Sequence, residues 1–175
     1  MMRLRSLIRD RSGAAAIEFA ILAPVAFLMF CGTYEITHGL VAYMKLTAAV
    51  NTVGDLIAQQ KAVASATIDD FYTAEQLVMA PLNTGSLGLS IASVTFDPTT
   101  GKASQAWQET RGTGVLMTDD VTASAGLGNA GDSVIVTQAT YTYTSLLKYV
   151  LPQGIPMTER IFTRPRLIST IPYTN

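Results

Sequence analysis

Hydrophobic and polar positions divide this chain into three regimes. From Gly13 to Tyr34, GAAAIEFAILAPVAFLMFCGTY, nearly every position is apolar and the only carboxylate is Glu18. A helix of that length rises about 1.5 Å per residue and spans roughly 30 Å, the hydrocarbon thickness of a bilayer. The run therefore predicts a membrane helix. Beyond it, Ile36, Leu40, Tyr43, Thr47, Val50, Gly54 and Ile57 recur at alternating spacings of four and three, with Leu46 and Val53 beside them. That period is helical, so one long helix is expected from about Ser12 to about Ala62, its outer half laying this stripe against a folded domain. After Ser65 a second helix is predicted, capped by Thr67 with Asp70 three residues on. Ile68, Phe71, Leu77 and Val78 supply its apolar positions, and it ends near Met79 ahead of Pro81.

From Gly88 the period becomes two. Leu89 to Phe96 reads as a strand, Asp97-Pro-Thr-Thr-Gly101 as a turn, and Lys102 to Thr110 as the returning strand with Trp107 on the core face. Residues 111 to 132, rich in Gly, Ala, Thr and Asp, predict a loop with at most one turn of helix. Asp132 to Ser145, DSVIVTQATYTYTS, is the strongest strand, crowded with β-branched and aromatic residues. Leu146 to Pro156 forms an apolar excursion, and Thr158 to Arg164 a last strand. The expected class is α+β: a long N-terminal helix continuing into a domain with a second helix and a small antiparallel sheet of about four strands.

Composition adds a topology. Residues 1 to 13 carry Arg3, Arg5, Arg9 and Arg11 against Asp10, whereas the remainder carries eight Lys or Arg against twelve acids. A basic cluster before a membrane helix holds the N-terminus in the cytoplasm and sends the rest outward. The expected domains are a basic cytoplasmic leader (1–13), a transmembrane helix (14–34) and an extracytoplasmic domain (35–175). A mildly acidic exported domain has no electrostatic footprint for nucleic acid. A removable secretory signal would want small residues at the far end of the run, where Met29, Phe30, Cys31, Gly32 and Thr33 stand instead. A lipoprotein signal ending at Cys31 is disfavoured by the bulky Phe30 before it.

The inventory of reactive groups is short. Cys31 is the sole cysteine and lies in the apolar run; His38 is the sole histidine and is expected on the surface, with no cluster around it to hold a metal. There is no G-x-S-x-G or H-E-x-x-H, and TTGK at 99–102 lacks the rest of a phosphate loop. Asp69 and Asp70 read as first-turn acids of the second helix, and Asp119 and Asp120 as solvated loop acids. No enzymatic activity, cofactor, metal or small-molecule substrate is expected. Pro24 sits inside the predicted helix, where it removes one backbone bond and bends the axis. Glu18 stands out, because an acid retained in a membrane segment is a functional candidate by default.

The run Arg11-Ser-Gly-Ala-Ala-Ala-Ile-Glu-Phe-Ala20, with Pro24 mid-helix and Tyr34-Glu35 at the end, resembles the N-terminus of TadE/TadG-like pilus assembly proteins. These are minor pilins or pseudopilins of the tight-adherence, Flp-type IV pilus. The tail is similar as well, with Tyr141, Tyr143, Leu146 and Leu147 followed by Arg164-Pro165-Arg166. The resemblance implies cleavage by a prepilin peptidase between Gly13 and Ala14, which makes Glu18 the fifth mature residue and Phe19 the aromatic after it. Glu18 would then meet the freed amine of a neighbouring subunit. Such an amine is a cation with a pKa near 8 held beside lipid, for which a carboxylate is the natural partner.

The expected function is thus a minor pilin-type structural subunit in a bacterial inner membrane. Its implied partners are that membrane, other pilin subunits, the prepilin peptidase and the pilus assembly platform proteins. The alternative is a permanently anchored periplasmic interaction module of the same machine, retaining its leader.

Overall fold

The computed structural model describes residues 12–145 and 154–174. The arginines of the basic leader and the excursion over 146–153, including Leu146 and Leu147, lie outside the described residues. The architecture is α+β, and the chain divides into two compact units, Met1–His38 and Gly39–Asn175.

Helix α1 runs Ser12–Ala58. In the first unit its apolar residues point outward on every side: Ile17, Phe19, Ile21, Leu22, Phe27, Leu28, Met29 and Phe30 are all exposed. A helix apolar all round is made for a nonaqueous surrounding. Two hydroxyls there are satisfied within the helix, Thr33 Oγ1 donating to the Met29 carbonyl (2.9 Å) and Thr37 Oγ1 to that of Thr33 (2.8 Å). Back-bonding of this kind is how polar side chains are tolerated away from water.

In the second unit α1 buries Ala42, Leu46, Ala49, Val50, Val53 and Ile57. This corrects the first half of the stripe expected from spacing, since Ile36, Leu40 and Tyr43 are 74%, 58% and 44% exposed, while Leu46, Val50, Val53, Gly54 and Ile57 are buried as expected. The reason is size: Ala42, Ala49 and Gly54 let the helix backbone approach the sheet closely, where larger residues would hold it off. Gly54 is packed so tightly that a Cβ there would collide with Ile161.

Helix α2, Ser65–Met79, follows a two-residue strand β1, Val63–Ala64. It begins two residues before the expected cap. Thr67 instead occupies the third helical position, where its Oγ1 accepts from the Ala64 N–H at 3.5 Å. At its other end Lys45 of α1 donates from Nζ to the carbonyls of Val78 (3.3 Å) and Ala80 (2.7 Å). A cation there satisfies carbonyls left open at the helix end and complements its dipole. A 3-10 turn, Thr84–Ser86, leads into the sheet.

Four strands form that sheet: β2 (Gly88–Phe96), β3 (Ala103–Gly112), β4 (Ser133–Tyr143) and β5 (Ile155–Thr163), all antiparallel in the order β3-β2-β4-β5. The β2–β3 turn is held by Asp97, whose Oδ1 accepts from the N–H groups of Thr99 (2.9 Å) and Thr100 (2.7 Å) and from Thr100 Oγ1 (2.9 Å). Gly101 closes it at φ 68°, a backbone conformation that favours glycine. Central β4 is buried on both faces apart from Thr140 and Thr142, which accounts for its strong strand signal.

One face of the sheet carries Leu89, Ile91, Ile135, Ala139, Tyr141 and Tyr143 against α1 and α2. The other carries Ala92, Val94 and Val136 against Met117 and Val121 of the long β3–β4 connection. That connection contains one short helix, α3, Asp120–Ala123. Each fully buried aliphatic side chain in these layers contributes about 1.5–3 kcal/mol.

A last strand, β6 (Tyr173–Thr174), pairs in parallel with β1, an element absent from the expectation. The segment before it straps across the domain: Trp107 Nε1 donates to the Ile171 carbonyl (2.7 Å), Ser133 Oγ to that of Ser169 (2.6 Å), and the Arg166 N–H to that of Ala58 (2.8 Å).

Candidate functional site

Gly13, Ala14, Glu18 and Phe19 fall on the first turns of α1. Gly13 is exposed, and a Cβ built on it would meet nothing within 4 Å. Packing among the described residues therefore does not demand a glycine there. Ala14 and Glu18 are four apart and so lie one above the other on the same side of the helix, separated by about 6 Å along its axis. Both are exposed, and Phe19 beside them is 73% exposed. Pro24 lies within the helix, where it can give no N–H to the Ala20 carbonyl. Arg3, Arg5, Arg9 and Arg11 lie outside the described residues.

This arrangement is suited to binding rather than to chemistry on a substrate: one carboxylate amid exposed apolar side chains, with small residues on the turn before it. Toward the end of the apolar run the Tyr34 and His38 rings pack at 4.1 Å with a 37° tilt, and His38 is exposed. Cys31 is half-exposed and free.

The acids considered from sequence are placed differently from one another. Asp69 pairs with Arg111, which also holds Glu109 (3.0 Å) and Ser65 Oγ (2.7 Å), so it bridges α2 to β3; because α2 begins at Ser65 its first turn holds no acid, and Asp69 and Asp70 are not the first-turn acids expected. Asp119 and Asp120 part company. Asp119 is gripped by Arg160, which holds its carboxyl below the usual carboxylate range, whereas Asp120 turns inward and is 2% exposed. They do not act as an acid pair in solvent. In the TTGK turn the Asp97 carboxylate already takes up the N–H groups a phosphate would need. Among the described residues, no three His, Cys, Asp or Glu side chains are grouped to hold a metal.

A family described as TadE-like protein matches residues 13–55. The first helix of this chain is thus similar to that family. The match begins at Gly13, takes in Glu18, Phe19 and Pro24, and stops three residues short of the end of α1, leaving the sheet and the Arg164-Pro165-Arg166 tail outside it. No curated protein and no solved structure matches the chain. TadE-like proteins are pilus structural and assembly proteins, so the match supports a Tad pilus-associated protein. The helix Gly13–Ala58 is long and apolar enough to cross a membrane, and its most apolar stretch is wholly unburied. Together these support a membrane-anchored protein whose first helix is similar to the TadE-like family.

The domain adds what the TadE-like helix does not foretell. Glu75 on α2 is fully buried, and burial pushes its carboxyl up to about 8. Sequence reasoning missed it because an acid amid polar helix positions reads as solvated; the available signal was its place four residues after Phe71 and four before Met79, on the apolar side. In the tail, Arg164 bonds the Leu127 carbonyl (2.5 Å) and Arg166 pairs with Asp55 (2.6 Å), so both arginines have structural work.

Proposed function

We propose that this chain is a minor pilin or pseudopilin-type subunit of a Tad, Flp-type IV pilus. It enters the bacterial inner membrane by residues 14–34 of α1, with the basic leader (1–13) in the cytoplasm and the α+β domain (35–175) in the periplasm. A prepilin peptidase cuts between Gly13 and Ala14, and the new amine of Ala14 pairs with Glu18 of an adjoining subunit while Phe19 packs beside it. The observation that carries this reading is the exposed, unpartnered-looking constellation of Gly13, Ala14 and Glu18 at the start of a helix that is apolar all round and matches the TadE-like family.

The energetic argument is one of mutual need. An amine and a carboxylate beside lipid are each costly alone, by about 2.5–3.5 kcal/mol at a bilayer centre and less toward its edge, and bringing them together between subunits offsets both costs. Pairing between subunits fixes register as well as affinity, because only one axial offset brings the two groups together.

N-terminal sequencing of the membrane-extracted chain tests the proposal. A start at Ala14 is the expected result. A chain retaining the arginine leader makes it an uncleaved, anchored interaction module instead, and a start downstream of Tyr34 removes the membrane role altogether.

A further inference from the structure

Glu75 is the most unusual side chain of the domain. It has no solvent exposure, and among the described residues neither carboxylate oxygen has a hydrogen-bond partner. It lies on α2 in line with Ile68, Phe71 and Met79, the residues by which that helix is seated on the sheet and on α1. An ionised carboxylate cannot be kept in such a place without a counter-charge.

Among the described residues, the ionisable groups on the elements packed against α2 have other partners or are neutral, Tyr143 of β4 among them in the layer around Met79. Lys45 of α1 is bound to the Val78 and Ala80 carbonyls, about one turn beyond Glu75. Arg111 of β3 is committed to Asp69, Glu109 and Ser65 toward the start of α2. Tyr72 donates to the Leu87 carbonyl, and Tyr141 of β4 is buried and neutral. From β2, Leu89 and Ile91 pack in the same layer as Ile68 and Phe71. Burial alone governs the Glu75 carboxyl and pushes it up to about 8.

We propose that Glu75 is a proton-operated latch on α2: while its carboxyl is neutral the helix stays seated on the sheet, and loss of the proton releases it. Release exposes Ile68, Phe71 and Met79 and withdraws Val78 and Ala80 from Lys45. The direction follows from linkage. The seated state binds a proton that the released state, with an ordinary glutamate, gives up between about pH 4.5 and pH 8. The stabilisation that the proton gives to seating is therefore fully present below that window and is lost as pH rises through it.

The test is amide hydrogen exchange on the full chain in detergent micelles, at about pH 6, 7 and 9, corrected for intrinsic exchange, with Glu75→Gln and Glu75→Met alongside. In the wild type, protection across residues 65–79 should fall about tenfold per pH unit up to about pH 8 and then level off. Protection across β4 should hold, and both variants should be flat in α2. Three results overturn the latch: no fall in the wild type, the same fall in either variant, or an equal fall in β4, which would make Glu75 a determinant of global stability and not of α2 seating. None of these readouts depends on whether the chain is cleaved or assembles.

Discussion

Arg160 donates from Nη1 and Nη2 to the two carboxylate oxygens of Asp119, each at 2.9 Å, and at the same time from Nε to Gln138 Oε1 at 2.9 Å. One guanidinium thus joins β5, β4 and the long β3–β4 connection. Its planar fork makes the two parallel bonds that a lysine ammonium cannot. Arg160→Lys should keep the fold and loosen the connection, seen as faster proteolytic cleavage within residues 113–131. Because the pair holds the Asp119 carboxyl low, its contribution is present above the usual carboxylate range and is lost as pH falls through the folded-state value. Asp119→Asn should therefore show a shallower loss of thermal stability on acidification than the wild type.

Gly54 sets how closely α1 lies on β5. A Cβ there would meet the Ile161 side chain, with Cγ1 at 3.3 Å, and Thr163 Cγ2 at 3.4 Å. Alanine gains roughly 1 kcal/mol of helix propensity over glycine and gives back a comparable amount through the collision. Gly54→Ala should thus change stability by less than about 1 kcal/mol, whereas Gly54→Val, larger and without that gain, should lower it by about 2–3 kcal/mol. Urea denaturation of the two variants checks the order.

Lys45 ties α1 to the end of α2 through the Val78 and Ala80 carbonyls. Lys45→Met keeps the stem, which packs, and removes the ammonium. The loss should be about 0.5–1.5 kcal/mol, with the fastest new amide exchange at residues 79–82. An unchanged exchange pattern there would show that water serves those carbonyls equally well.

Periodicity revealed most of the elements because each is locally consistent: the β-branched and aromatic run of β4 can be little else, and the Asp97 to Gly101 turn has the side chain and the glycine its geometry needs. It placed the buried side of α1 correctly from Leu46 to Ile57 but not before, where Leu40 and Tyr43 are exposed and Ala42 is buried instead; Ala42 and Ala49 carry too little apolar signal for spacing to mark them. The β1–β6 pair was equally hidden, since two residues carry no period and their pairing spans most of the chain. The candidate assembly residues Gly13, Ala14, Glu18 and Phe19 could be named from sequence because they lie close together in the chain and need no folding to be brought together. The placement of Glu75 could be read only from the packed structure.

Glu18 carries the last prediction. Removing an acid from an apolar helix lowers the cost of insertion, so Glu18→Ala should reach the membrane fraction at least as well as the wild type. If the carboxylate meets a neighbouring amine, losing a charge-assisted hydrogen bond of about 1.5–3 kcal/mol should cut incorporation into sheared filaments by roughly 10- to 100-fold. Glu18→Gln separates charge from shape: it keeps the length and one acceptor but cannot neutralise a cation, and should fail nearly as badly as alanine. Glu18→Asp, with charge retained and reach shortened, should fall between. Immunoblots of membrane and filament fractions measure all three, and full incorporation of the glutamine variant would mean that Glu18 serves as a hydrogen-bonding group and not as a counter-ion.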